Sequence, residues 1–339
     1  MTVKNNRSRA LMALSAAGVS ALVLAGCAAT TTAGGCELGP EQDGDLVLNL
    51  GTALPLTGNL AFLGPPEEAG AALAIDEINA ANKGLTIDAT FGDSGDTDNK
   101  AYDTEIPRLL GAGAQAIVGA ASSGVSLQFI DRVIAECVIH FSPANTSAAF
   151  TDYEDKGLYF RTAPSDVLQG EVLGNLIAED GHQRISFIVL NDSYGTGLAA
   201  FTKAAFEAAG GEVIAEPTYN TGDTNFTAQI AEALAGDPDA IVLITFDEAK
   251  TIVPELTSQF PGDKLYFVDG NLTNYSEDFA AGTLEGAKGT YPGVNEANIA
   301  DFVAKLDANW QARGNAALEL NAYGPETYDA VIVLALARR

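Results

Sequence analysis

Only two histidines occur in the 339 residues, His140 in an apolar strand-like run and His182 in a polar turn. A Ser-His-Asp triad or a histidine-based metal site is poorly supplied, and each histidine reads as a core or surface residue. No GxxxxGK[ST] phosphate loop and no GxSxG elbow is present, so nucleotide hydrolysis and serine-hydrolase chemistry lack their parts. Gly111, Gly113 and Ala116 in "GAGAQA" imitate a dinucleotide fingerprint, but they close a helix and precede a strand. That is the reverse of what a pyrophosphate site needs, and the run reads as a helix C-cap. Basic side chains are scarce too: 18 Lys and Arg, three of them ahead of Cys27, against 45 Asp and Glu, none of which precedes Cys27. From Cys27 onward the net charge is −30, a surface that repels nucleic acid and anionic lipid. Asp93 and Asp96 in "GDSGDTD" could hold a hard cation or act in acid–base chemistry, although a solvated acidic loop is the plainer reading.

The chain opens with "MTVKNNRSR", an apolar run "ALMALSAAGVSALVL" and "LAGC". The apolar run is shorter than the roughly 20 residues a bilayer span needs, and small residues follow it, so residues 1–26 read as a secretory leader. Leu24-Ala25-Gly26-Cys27 resembles a bacterial lipobox, which makes Cys27 the expected lipidated residue and the chain an exported, membrane-anchored protein of the cell envelope. Residues 27–44, with "AATTTAGG", read as a tether. Two further cysteines remain, Cys36 and Cys137; they could form a disulfide or stay as two unpaired buried thiols. A bridge closing that loop would stabilise the fold by up to about 4.7 kcal/mol in the chain-entropy model.

From Leu46 onward short apolar runs alternate with longer segments of helical period. "LVLNLGTA", "LTIDATFG", "QAIVGA", "CVIHFSP" and "YFRTAP" read as strands, then "RISFIVL", "EVIAEPTY", "AIVLITF" and "KLYFVDG" repeat the pattern. The expected fold is α/β: two Rossmann-like, doubly wound parallel-sheet lobes joined by a hinge. The expected division is 45–162 plus 292–339 for the first lobe and 163–291 for the second. In such sheets ligands bind outside the carboxyl ends of the strands. Six loops rich in small and polar residues occupy those ends: 55–64, 120–124, 142–147, 191–197, 246–248 and 269–274.

One junction stands out among them. In "IVGAASSGVSL" Gly119 ends a strand, Ser122 and Ser123 sit where a helix begins, and Gly124 leaves the backbone bare. Free N–H groups at a helix start, helped by serine hydroxyls, suit a carboxylate, although either serine could simply cap its own helix. "SPANTS" ends the next strand and can converge on the same point.

Taken in order, "LGTALPLTGNLAFLGPPEEAGAALAIDEINA", "GAASSGV", "FSPANTS", "YFRTAPSDVLQG" and "NDSYGTG" resemble the type I periplasmic binding proteins of branched-chain amino acid ABC importers. The resemblance covers about residues 45 to 339. It implies a monomeric two-lobed clamp, not an enzyme, with no cofactor and no metal, that closes on an amino acid, most simply a branched-chain one, and docks on a membrane permease. The same clamp takes urea, short amides or aromatic acids in relatives, and could report ligand to a receptor instead. Ser123 and Thr146 match the positions that hold the ligand carboxylate, with Ser122 and Asn145 beside them. Tyr194 matches an aromatic from the second lobe, Phe246 is the expected apolar face, and Leu63 lies where the family often has an aromatic wall. Asp269 or Asp247 is the expected partner of an ammonium group. The resemblance also implies that the native chain continues beyond Arg339, across the hinge once more.

Overall fold

The computed structural model describes Cys36 and residues 44–338. The leader over 1–26, the lipobox residue Cys27 and the rest of the tether apart from Cys36 and Gly44 lie outside the described residues, as does Arg339.

Strands β1 (Leu46–Ala53), β2 (Leu85–Thr90), β3 (Ala116–Gly119), β4 (Ile139–Ser142) and β5 (Tyr159–Arg161) form one sheet in the order β2-β1-β3-β4-β5. Every pair is parallel. A second sheet has the order β11-β10-β9-β6-β7, from β6 (Arg184–Leu190), β7 (Glu212–Ala215), β9 (Ala240–Ile244), β10 (Leu265–Phe267) and β11 (Lys288–Gly289). The short β8 (Thr218–Tyr219) pairs with β6 beside β7. The run expected as one strand, "EVIAEPTY", is thus divided between β7 and β8 around Pro217, which has no N–H for a ladder. Central strands such as β3 and β9 are buried along their whole length because helices cover both faces.

Helices α1 (Gly64–Ala81), α2 (Tyr102–Gly111) and α3 (Ser123–Ala135) connect the strands of the first sheet. Helices α4 (Asp166–Glu179), α5 (Gly195–Ala208), α6 (Thr227–Leu234) and α7 (Ala249–Thr257) belong with the second, α4 lying along α5. The last two, α8 (Ala300–Ala312) and α9 (Gly324–Arg338), return to the first sheet and pack on α1. That return requires glycine: a Cβ on Gly70 of α1 would lie 2.1 Å from the Gly324 carbonyl oxygen. Leu306 of α8 is buried with Ala69 and Leu73 of α1, and Ala330, Val331 and Leu334 of α9 join the core of the first sheet. Among the described residues no helix is long and apolar enough to cross a membrane.

Of the two readings left open for the cysteines, the structure has the disulfide. Cys36 and Cys137 are bonded, 5.7 Å apart at Cα, and Cys36 is buried against Ile130, Ile134 and Tyr159.

In the first sheet the strand order reverses between β1 and β3, and in the second between β6 and β9. The loops leaving those strands are therefore splayed apart at the carboxyl edge of each sheet, the place where a crevice forms.

Candidate ligand-binding cleft

The wall on the first sheet is built locally. β3 ends at Gly119, whose φ of 117° and closeness to the Ala53 carbonyl admit only glycine; a Cβ would lie 2.0 Å from that oxygen. Ser122 then caps α3, accepting from the Val125 N–H at 3.3 Å. The N–H groups of Ser123 and Gly124 lie in the first turn, where a helix supplies no partner of its own. Thr146 reaches the same point from the loop after β4, and the Ser147 N–H donates to Ser123 Oγ at 3.2 Å, binding the two loops together.

Behind this wall lies a polar brace. Asn145 Nδ2 donates to the carbonyls of Ala120 (3.0 Å) and Ala121 (2.7 Å), while its Oδ1 accepts from Tyr159 at 3.1 Å. Ser142 Oγ donates to the Ala120 carbonyl at 2.7 Å. His140 Nε2 lies 2.6 Å from the Gly119 carbonyl, so it carries the proton and donates. Burial drives the His140 pKa down to about 4, against a smaller upward pull from that bond, and the ring is neutral at ordinary pH. Asp93 and Asp96 are organising groups. Asp93 accepts from the backbone of Leu56, Thr57 and Gly95, and Asp96 from Asn59, Asp98 and Asn99. Together they hold the loop that carries Leu60 and Leu63 over the cleft.

The wall on the second sheet centres on Asp269, in a helical turn just past β10, within the loop 269–274 that the sequence places there. Asp269 is 4% exposed. Its Oδ1 accepts from Tyr194 (2.8 Å) and Gln169 Nε2 (2.9 Å), and its Oδ2 from Tyr323 (2.7 Å). Burial raises its pKa, while these bonds pull it back. Both tyrosines have pKa values pushed well up by burial first and by the Asp269 charge second, so they remain donors. Tyr194 stacks on Phe246 with centroids 5.3 Å apart.

Between the walls is a cavity with about 20 Å³ of room for water centres, enough for one or two waters. Leu60, Leu63, Ala121, Ser122, Ser123, Ala144 and Thr146 line one side; Tyr194, Phe246, Asp269, Gly270 and Tyr323 line the other. The walls are joined across the gap: Asn59 Nδ2 donates to Glu248 at 2.9 Å, the Asp247 N–H to the Asn59 carbonyl at 3.2 Å, and Ser147 Oγ to the Ser193 carbonyl at 2.9 Å. A solute larger than a few atoms enters only when these contacts part. A larger cavity of about 520 Å³ lies outside, between Phe62, Pro65 and Trp310 on one side and Lys250 and Asn274 on the other.

Seven residues singled out in the sequence meet at the inner cavity: Leu63, Ser122, Ser123, Thr146, Tyr194, Phe246 and Asp269. Two do not. Asn145 is the brace behind the wall, and the Asp247 carboxylate turns outward to Lys250, 2.8 Å away. Sequence reasoning gave no role to Tyr323 or Gln169. Tyr323 precedes α9 and Gln169 lies one turn inside α4, so neither belongs to a loop leaving a strand. A search confined to strand ends passes over both.

Two parallel sheets with opposed strand-end loops, closing on a cavity that is polar at both ends, define a two-lobed solute-binding clamp. The chain belongs to the periplasmic binding protein family, whose model matches residues 47–338. It is thus a non-enzymatic, extracytoplasmic solute-binding component of transport. It is similar to the Leu/Ile/Val-binding protein homolog 2 of Brucella abortus, 28% identical over 261 residues that cover 75% of this chain and 68% of that one. Among solved structures it is similar to the branched-chain amino acid transporter substrate binding protein LivJ of Streptococcus pneumoniae in complex with isoleucine: TM-score 0.73, 23% identity, 86% of this chain and 84% of that one. It also resembles a solute-binding protein of an ABC transporter from Rhodopseudomonas palustris in complex with benzoate: TM-score 0.72, 19% identity, 85% and 79% coverage.

Proposed function

We propose that the protein captures a small amino acid, aliphatic and branched, and delivers it to the permease of an ABC importer. The observation that carries this reading is the pairing of opposite ends in one cavity: hydroxyls and a helix start on one wall, a buried carboxylate on the other. The first wall suits an α-carboxylate, received by Ser123 and Thr146 with the first N–H groups of α3. Asp269 suits an α-ammonium, whose positive charge would offset the cost of keeping that acid ionised away from water. Leu60, Leu63, Ala144 and Phe246 leave an apolar surface for the side chain. Leu63 supplies an aliphatic wall rather than a flat aromatic one. The names of the relatives in Brucella support a branched-chain ligand.

An aromatic acid, as in the Rhodopseudomonas protein, shares the carboxylate end but brings no cation to Asp269. The buried acid favours the amino acid over that alternative. In the same reading the protein is a monomer anchored by lipid at Cys27, with lobes over 45–162 plus 292–339 and 163–291. It has no nucleic acid partner.

A thermal-shift panel of the twenty amino acids, urea, short amides and aromatic acids, with calorimetry on hits, tests the assignment. Stabilisation by leucine, isoleucine or valine is the expected result. A response confined to amides or aromatic acids would remove the ammonium site and with it the proposal.

A further inference from the structure

Two of the chain's passages between the sheets meet at one point, the start of α9. The first leaves β5 for α4, and on it Thr162 Oγ1 donates to the Glu326 carbonyl at 3.0 Å. The second leaves β11 for α8 and carries Tyr291, whose hydroxyl accepts from the Tyr323 N–H at 2.9 Å. α9 itself is fixed to the first sheet through α1, so closely that a Cβ on Gly324 would lie 2.9 Å from the Pro66 carbonyl oxygen. A rotation of one sheet against the other about these passages displaces their surroundings least and the far rim of the cleft most.

Tyr323 stands at that point and is fastened on every side. Its φ is 61°, a left-handed conformation that a bulky residue adopts only where its surroundings hold it. Four bonds do so: the N–H donates to Tyr291, the carbonyl accepts from the Thr327 N–H (2.9 Å) and Thr327 Oγ1 (2.7 Å), and the hydroxyl donates to Asp269 Oδ2 (2.7 Å). Tyr323 is 1% exposed, and its ring packs on that of Tyr291 with centroids 5.2 Å apart. It thus leads into a helix of the first sheet, yet it donates to the acid of the second.

The other two donors to Asp269, Gln169 and Tyr194, belong to elements of the second sheet. Burial opposes the charge on Asp269, and the hydrogen bonds, that from Tyr323 foremost, support it. Without the Tyr323 hydroxyl the carboxylate is both less ionised and less firmly placed.

We propose that Tyr323 is a positioning residue that pins the Asp269 carboxylate to the hinge: its hydroxyl stays on Asp269 as the cleft opens and closes, while the rim contacts of Asn59 and Ser147 part. Tyr291 serves the same end one step further out. It stands outside the lining of the inner cavity and acts on the acid by holding the Tyr323 backbone. The inference rests on the reading of Asp269 as the partner of a solute ammonium, and it gives Tyr323 and Tyr291 a role which that reading does not supply.

Two measurements on the full chain test it. The first needs no solute: tyrosine is labelled with ¹³C at Cζ, and the Tyr323 resonance is assigned by its loss in Tyr323→Phe. Asp269→Asn should move that resonance in the solute-free protein; a Tyr323 resonance indifferent to Asp269→Asn overturns the proposal. The second uses calorimetry with L-leucine as the probe. Tyr323→Phe keeps the ring and should weaken binding about tenfold, and Tyr291→Phe about threefold, the losses expected of a hydrogen bond to a charged and to a neutral group. In an Asp269→Asn background each should add less than about twofold, because both act through that acid. A merely structural role would weaken both backgrounds alike. Equal losses in the two backgrounds, or unchanged binding by Tyr323→Phe in the parent, would also overturn the proposal. If the parent does not bind L-leucine, the proposed amino acid ligand fails, and the tyrosine resonance alone decides whether Tyr323 holds Asp269.

Discussion

The two walls of the cleft are built on different principles. On the first sheet the polar groups come from short stretches that leave adjacent strands, Ser122 and Ser123 after β3 and Thr146 after β4, and their brace is equally local. On the second sheet a single acid, Asp269, gathers its donors from residues 54, 75 and 100 positions away in sequence. One wall offers backbone dipoles and hydroxyls, which stay neutral at every ordinary pH. The other offers a charge held in a dry site by two tyrosines and a glutamine, whose state depends on what is around it. For the proposed amino acid ligand, a clamp made this way would hold the two ends by different physics.

Removing the charge from the second wall should have the largest effect. Asp269→Asn keeps the shape and part of the hydrogen bonding but leaves a buried ammonium unpaired, which costs about 3–5 kcal/mol, so calorimetry should show amino acid affinity falling at least a hundredfold. Unchanged affinity would mean that the two walls do not divide the work as described. Stripping the first wall with Ser123→Ala and Thr146→Ala together removes two bonds worth about 1.5–3 kcal/mol each to a charged group. The expected loss is about a hundredfold or more, with the thermal transition nearly in place. A collapse of folding in that double variant would instead make the hydroxyls structural.

The walls should also respond to pH with opposite signs. His140 behind the first wall has a folded pKa below its ordinary value, so its contribution to stability is complete above about pH 6.5 and is lost as pH falls toward about 4. Through that acid range it should cost at most about 3 kcal/mol, and His140→Gln should flatten the loss seen in urea unfolding. Asp166, the first residue of α4, has a pKa raised to about 8 by burial and by the nearby Asp269, so its contribution is complete below about pH 4 and is lost as pH rises toward about 8. Asp166→Asn should therefore gain on the parent in alkali and leave the acid limb unchanged. The smallest effect is expected at Asp247, whose pairing with Lys250 is half-exposed; Asp247→Asn should change binding less than twofold by calorimetry. A large loss there would move the ammonium site off Asp269.

Much of this architecture is legible in the chain, because strand and helix are signalled by neighbours. The alternation of apolar runs with helical periods gave two parallel sheets, and Gly119, Ser122 and Ser123 announced a capped helix start because capping and positive φ are local constraints. Both Asp247 and Asp269 stood in strand-end loops with nothing in either loop to separate them. Folding separated them: Lys250, three residues further on in the first turn of α7, draws Asp247 outward, whereas Asp269 is enclosed by groups from three distant segments. Asn145 likewise read as a ligand contact and became a brace, because its amide meets the Ala120 and Ala121 carbonyls from behind. By itself, then, the sequence determined the two sheets, the capped helix start after β3 and the strand-end loops that face the cavity. Only the tertiary structure decided which acid is buried, which tyrosines hold it and where Asp166 stands, since burial and charge proximity are properties of segments far apart in the chain that packing alone brings together.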